Sequence, residues 1–351
     1  MRMTSALFKV VTLALIIIAN TACNDFTKSP YPTISFQPIS SMPDKGRASA
    51  VAWSIDGKGY VALGRTKDKS IIKTSTRKQL NDCWSYDPKS NKWTRMADFP
   101  DTPRVKAIAA VVNEKAYVGL GYNLEKNFST DGGNNNPANL RHFWSYDPST
   151  NKWTRMADFP SSASNACVSA VINDEIFVVS GFDGIFFTKE IWSYNCTTNT
   201  WREHKKGEYW GPRSNPIFLA SKNHIYLGTG YRGNTYNDWW QYFPENETWI
   251  RRKKMPDEGR TSGLGFTINE RFFVATGRHP GGDMTGGKLF NDVIEYNPDK
   301  DEWYERGFIP DGGRENAVCF IINDTAYIGC GENSVLNDEE CVLNNFWKFK
   351  P

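Results

Sequence analysis

The sequence predicts an all-β fold of six four-stranded sheets stacked radially as a propeller. Three observations lead there. A phrase recurs along the chain at a spacing of about 50 residues. Each copy alternates short β-prone runs with turns. The last copy lacks its fourth strand, and the N-terminal region carries a segment that fits the vacancy.

The repeat is plainest at Trp84–Pro100 and Trp144–Pro160, which share the phrase WSYDPxxNKWTRMADFP. Weaker copies start at Trp192, Trp240 and Ile294, and a partial sixth starts at Trp347. Tyr86, Tyr146, Tyr194, Tyr242 and Tyr296 are each followed seven residues later by Trp93, Trp153, Trp201, Trp249 and Trp303. The second unit shows the pattern of strands. Val105–Val112 is apolar and β-prone, Asn113–Lys115 is a turn, and Ala116–Leu120 is the next strand, ended by Gly121. Phe143–Tyr146 and Trp153–Met156 flank a turn of Asp147, Pro148 and Asn151, residues that favour turns. One such sheet cannot bury both of its faces, so copies must stack on each other, and radial stacking closes a ring. Aromatic residues make up 14% of the chain, with 13 Trp, which suits small sheets packed face to face.

Ring closure is expected from the N-terminus. Phe36 precedes Pro43 by seven residues, as Trp93 precedes Pro100. The segment Thr33–Ile39 is therefore expected to pair beside Phe346–Phe349 and remove an open sheet edge.

A glycine follows strand two in every unit: Gly64, Gly121, Gly181, Gly230, Gly277 and Gly331. With the later Tyr and Trp, this resembles the kelch propellers from about residue 33 to the end. The kelch pattern has a glycine pair here. This chain has Leu63, Leu120, Ser180, Thr229, Thr276 and Cys330 at the first position.

The first residues lie outside the fold. Arg2 and Lys9 precede an apolar run, Val10–Ala19, that is short for a bilayer span. This is the layout of a signal peptide, taken as residues 1–22. Cys23 follows it as in bacterial lipoprotein signals, although Asn20 stands where those usually have Leu. The expectations are lipidation at Cys23, a tether over residues 23–32, and a propeller over 33–351. The resemblance implies an exported lipoprotein in the outer membrane or periplasm of a Gram-negative bacterium, held by its lipid alone and monomeric.

Removing Arg2 and Lys9 leaves 40 basic against 39 acidic residues, so nothing favours a nucleic-acid partner. No C-x-x-C pair and no histidine cluster suggests a metal, and no cofactor is expected. Cys83, Cys167 and Cys319 lie in strand-like runs and read as buried small hydrophobes. Cys330 and Cys341 are spaced for a disulfide, with two free thiols as the alternative.

The loop leading into strand one and the loop joining strands two and three lie on one face. Arg47, Arg104, Arg213, Arg260 and Arg314 end the lead-in loops of five units, with Ser164 in the third. In kelch propellers arginines at this position commonly line the central pocket. The residues after the glycine are Arg65, Tyr122, Phe182, Tyr231, Arg278 and Glu332, and they are expected to ring the same pocket. Arginine forks with aromatic walls suit an anionic or glycan ligand. The competing reading makes the arginines loop clamps, since Asp44, Asp101, Asp257 and Asp311 each lie three residues before one. Arg213 lacks that aspartate.

Glu315 and Glu332 are the candidate proton carriers. The bacterial sialic acid mutarotases, or N-acetylneuraminate epimerases, are six-bladed kelch proteins with Arg and Glu in the pocket, and this chain resembles them distantly. Galactose oxidase shares the fold, but its copper site of Tyr, His and cross-linked Cys has no convincing equivalent here. The functional classes are thus a binding module for an anionic sugar, glycan or protein partner, a sugar mutarotase, or a purely structural interaction propeller.

Overall fold

A computed structural model gives the structure of residues 26–43, 45–67, 77–125, 138–162, 164–205, 210–222, 224–281, 287–333 and 342–351. Six antiparallel four-stranded sheets form the blades. Blade one comprises Val51–Ile55, Lys58–Ala62, Cys83–Asp87 and Lys92–Arg95. Blade two comprises Ile108–Val112, Lys115–Gly119, Phe143–Asp147 and Lys152–Arg155. Blade three comprises Val168–Ile172, Glu175–Val179, Ile191–Asn195 and Thr200–Glu203. Blade four comprises Ile217–Ala220, Ile225–Gly228, Trp239–Phe243 and Thr248–Arg252. Blade five comprises Leu264–Ile268, Arg271–Ala275, Asp292–Asn297 and Glu302–Phe308.

Blade six takes Val318–Ile322, Thr325–Gly329 and Phe346–Phe349 from the C-terminus and Gln37–Ile39 from the N-terminus. Gln37 lies opposite Lys348, and Ile39 opposite Phe346. The closing strand is shorter than the expected Thr33–Ile39, but Phe36 does pack on Phe349, ring centroids 5.1 Å apart.

The apolar core is divided among the blade interfaces. Trp53, Val118 and Tyr146 belong to the cluster between blades one and two. Val61, Tyr86, Phe320 and Phe346 belong to the one that joins blade six back to blade one. Burying one such side chain stabilises by about 1.5–3 kcal/mol.

The repeated Tyr, Asn and Trp form a latch between neighbouring blades. Asn91, Asn151, Asn199 and Asp301 sit in the strand-three to strand-four turns at φ between 53 and 55°, a left-handed conformation that Asn and Asp tolerate. In blade two, the Tyr146 hydroxyl donates to Asn151 Oδ1 at 2.8 Å. That same oxygen accepts the Ala97 N–H of blade one at 2.9 Å, and Trp153 Nε1 donates to the Ala97 carbonyl at 3.0 Å. At the closure, Ser40 takes the place of Ala97. Its N–H donates to Asn91 Oδ1 at 3.1 Å, and its carbonyl accepts from Trp93 Nε1 at 3.0 Å. The N-terminal strand is therefore latched as an ordinary fourth strand. Between blades three and four the latch differs. Glu247 replaces the asparagine and meets His204 Nδ1 at 3.0 Å.

Phe26–Pro32, expected as a tether, lies against blade five. The Thr27 N–H donates to the Trp303 carbonyl at 3.0 Å. Tyr31 lies under the guanidinium groups of Arg271 and Arg306 at 4.2 and 5.1 Å. Tyr31 stays 41% exposed, and at such a site a cation over the ring contributes about 0.5–1 kcal/mol. Residues 1–25, and with them the expected leader and Cys23, lie outside the described residues.

Strand one of blade two starts at Ile108 rather than Val105, because Lys106 adopts φ 51° and interrupts the extended run. Five more residues share this conformation at the equivalent place: Ser49, Ala166, Asn215, Ser262 and Asn316, with φ of 46–56°. They form a ring about the axis. Main-chain bonds join neighbours, such as Lys106 N–H to Ser49 O at 3.2 Å and Ser49 N–H to Asn316 O at 3.0 Å.

Candidate functional site

The glycine after strand two shows what fixes the loop face. Gly64, Gly121, Gly230, Gly277 and Gly331 have φ of 83–100°, and an added Cβ would fall 2.4–2.9 Å from a carbonyl oxygen of the lead-in loop. Only glycine fits both demands. The residue before it is also left-handed, with φ of 58–65°, although it is Leu, Ser, Thr or Cys. For the β-branched Thr229 and Thr276 this conformation is strained.

The five arginines hold this strained carbonyl. Arg47, Arg104, Arg213, Arg260 and Arg314 donate through Nη1 to the carbonyls of Leu63, Leu120, Thr229, Thr276 and Cys330 at 2.8–3.3 Å. Their own carbonyls accept glycine N–H groups of the preceding blade, as in Gly331 N–H to Arg47 O at 2.8 Å. All five are 0–1% exposed.

Their charge is met inside the wall. Arg47 makes a two-pronged pair with Asp82 at 2.9 and 2.7 Å, and Arg213 does the same with Asp238 at 2.6 and 2.8 Å. Arg260 meets both Asp292, at 2.7 and 2.8 Å, and Asp257, whose carboxylate accepts from Nε at 2.9 Å. Arg104 pairs with Asp101 at 2.9 Å and Arg314 with Asp311 at 2.6 Å. The expectation that these arginines line a ligand pocket is therefore corrected: they are clamps. Of the four aspartates expected as partners, Asp101, Asp257 and Asp311 serve, and Asp44 lies outside the described residues. Arg213, expected to lack an acid, has Asp238.

The carboxylates bear the mark of this pairing. Burial pushes Asp82 up, but the hydrogen bonds and charge of Arg47 outweigh it and leave the pKa lowered. Asp101 is lowered further, where the Thr102 N–H and the Arg104 charge outweigh burial. Blade three manages without a guanidinium. Ser164 is buried in its place, and the Cys167 thiol donates to the Ser180 carbonyl at 3.4 Å.

Of the residues after the glycine, Tyr122, Phe182, Tyr231 and Arg278 meet at one pocket, whereas Arg65 and Glu332 are buried as a pair beside it. Each bridges the residue after the clamp position: Ala48 with Arg65, Val105 with Tyr122, Asn165 with Phe182, Ser214 with Tyr231, Thr261 with Arg278, and Glu315 with Glu332. A pocket of about 490 Å³ opens there. Tyr122, Phe182 and Tyr231 line it, as expected, together with Phe187, which the sequence reading missed. The Phe182 and Phe187 rings lie 4.8 Å apart.

Opposite these aromatic residues of blades two to four stand charged residues. Arg278 and Glu315 line the pocket, with Arg278 Nη1 3.3 Å from Glu315 Oε1. Beside them, Arg65 Nη2 meets Glu332 Oε2 at 2.5 Å, and Asn316 Nδ2 donates to Glu332 Oε1 at 2.7 Å. Burial, then the charge of Glu332, raises the Glu315 pKa against the pull of Arg278 and Lys106. Lys106 also lines the pocket. A smaller cavity of about 150 Å³ shares Lys106, Ala166, Asn215 and Ser262 with it. Among the described residues, no group of three or more His, Cys, Asp or Glu is placed to hold a metal ion. Cys330 is a free buried thiol, and Cys341 lies outside the described residues.

Comparison with known proteins agrees with this architecture. The KLHDC2/KLHL20/DRC7 Kelch-repeats domain matches residues 130–277, and the Kelch motif matches residues 74–100. The propeller is built of kelch repeats. Kelch-like protein 25 of Xenopus tropicalis is 27% identical over 221 residues, covering 63% of this chain and 33% of that protein. Human Kelch-like protein 23 is 24% identical over 285 residues, covering 80% of this chain and 45% of that one. This chain thus spans less than half the length of either relative. A solved structure described as "Structure of YjhT" superposes with a TM-score of 0.68 at 16% identity, covering 88% of this kelch propeller and 96% of the other chain. That likeness concerns the fold.

Proposed function

We propose that this propeller is an exported binding module whose axial pocket takes an anionic or polyhydroxylated, sugar-like ligand. One observation carries the reading: the pocket wall is divided. Blades two to four present Tyr122, Phe182, Phe187 and Tyr231, and the other side presents Arg278 and Glu315, behind which Arg65 and Glu332 form a buried pair. A sugar has an apolar ring face that stacks on aromatic residues and a hydroxyl or carboxylate rim that suits charged donors and acceptors. Calorimetric titration with N-acetylneuraminate, glucuronate and glucose tests it. Binding that weakens in Phe182→Ala and Arg278→Ala supports the reading. Absence of binding to all three sugars overturns it.

A catalytic reading is favoured by Glu315 alone. A carboxyl with a raised pKa beside Arg278 is suited to proton transfer at an anomeric centre, as in a sugar mutarotase. Faster anomer interconversion with the wild type than with Glu315→Gln would establish it. A protein partner is favoured by the turn at Ile185 and Phe186, which are 42% and 66% exposed beside Phe187 of the pocket wall. The proposal also includes export, with lipid attached at Cys23. Cys23→Ser is expected to move the protein from the membrane fraction to the soluble one, and retention in the membrane would refute the anchor.

A further inference from the structure

The Lys106 side chain, unlike its backbone, has no part in holding the axial ring. Its five equivalents around the axis are Ser49, Ala166, Asn215, Ser262 and Asn316, all small or neutral and all with the same left-handed backbone. The ring therefore needs no lysine to form. Among the described residues, the Lys106 side chain finds no hydrogen-bond or ion-pair partner, whereas the arginines of the wall are clamped. It lines both cavities. Glu315, on the same pocket wall, is near enough that each charge acts on the other.

We infer that Lys106 is a carbonyl-capturing amine, which forms a reversible Schiff base with an aldehyde or ketone such as the open-chain form of a reducing sugar. This rests on the proposed pocket, because the carbonyl compound would occupy it. Burial lowers the Lys106 pKa against the opposing pull of Glu315 and Glu332, and a neutral amine is the nucleophile. The amine nitrogen attacks the carbonyl carbon, and a proton passes from nitrogen to oxygen to give the carbinolamine. Glu315, whose raised pKa favours the acid form, protonates the carbinolamine hydroxyl. The C–O bond breaks, water leaves, and a protonated imine remains beside the Glu315 carboxylate. No oxidant or reductant takes part. Hydrolysis reverses each step and frees the lysine.

Reductive trapping tests this on the full chain. The protein is incubated with glyceraldehyde and cyanoborohydride at neutral pH, and the adduct is located by peptide mass mapping. The expected result is a single adduct on Lys106 before any on exposed lysines such as Lys58 or Lys92. It should be lost in Lys106→Asn and slowed in Glu315→Gln. Asn215 and Asn316 fill the same place in other blades, so Lys106→Asn is expected to unfold like the wild type. Labelling of exposed lysines ahead of Lys106 overturns the inference. If sugars bind by calorimetry and Lys106 stays unlabelled, the inference falls and the pocket reading stands. If Lys106 is labelled and no sugar binds, the amine stands and the sugar reading falls.

Discussion

Arg260→Ala separates a clamp from a ligand-binding arginine. The substitution leaves two carboxylates facing a void, Asp257 and Asp292, whose side chains are 9% and 13% exposed. It also leaves the Thr276 carbonyl without its guanidinium donor and removes a cation stacked 4.0 Å from the Phe290 ring. Taking one partner from a buried ion pair costs about 3–5 kcal/mol. The comparison is Arg95→Ala, whose pair with Asp98 is exposed by 55% and 42% and contributes about 0–1 kcal/mol. Urea unfolding followed by tryptophan fluorescence measures both. The reasoning is refuted if Arg260→Ala unfolds within about 1 kcal/mol of the wild type, the range expected of an exposed pair. It is equally refuted if the variant keeps its stability and loses ligand binding.

Deleting residues 26–42 is expected to destabilise the whole ring, because it bares the Phe346–Phe349 edge and removes the buried Ile34 and Met42; a truncated protein that melts like the full chain would contradict the closure. Asp82, Asp101 and Asp311 have lowered pKa values in the fold, so their pairing stabilises it above the ordinary carboxylate range and is lost as pH falls below that range. Melting measured from about pH 6 to pH 2 should show this acid loss, and Asp82→Asn should show less of it. The Cys330 thiol, pushed up to about 12 chiefly by burial, is expected to resist iodoacetamide in the native protein and react only on unfolding; native-state labelling mapped to Cys330 would contradict its burial.

Much of the fold was legible because its devices are local in sequence. The turn asparagine, the tyrosine before it and the tryptophan after it lie within one hairpin, so WSYDPxxNKW writes out most of the latch. The Phe36 spacing placed the closing strand for the same reason. The clamp was only half legible. Asp101, Asp257 and Asp311 lie three residues before their arginines, but Asp82, Asp238 and Asp292 come from 35, 25 and 32 residues further on. These three stand at one repeat position, where strand three begins, and aligning the units there would have found them. Burial settled the rest, since a repeat pattern does not say which way a side chain turns. Lys106 went unnoticed inside VKAIAAVV, which reads as one strand until the left-handed residue breaks it. Phe187 lies in a short loop outside the repeat, where position carries no signal.

The central claim is that the ligand sits at the axis, held by the residues after the strand-two glycines and not by the arginines behind them. A crystal structure grown with N-acetylneuraminate or glucuronate tests this most directly. The account predicts density between the aromatic residues Tyr122, Phe182 and Tyr231 and the Arg278–Glu315 side, with Arg213 and Arg260 still paired to Asp238 and Asp292. Ligand bound on the outer blade edges, or a clamp arginine released from its aspartate to hold the ligand, would contradict it.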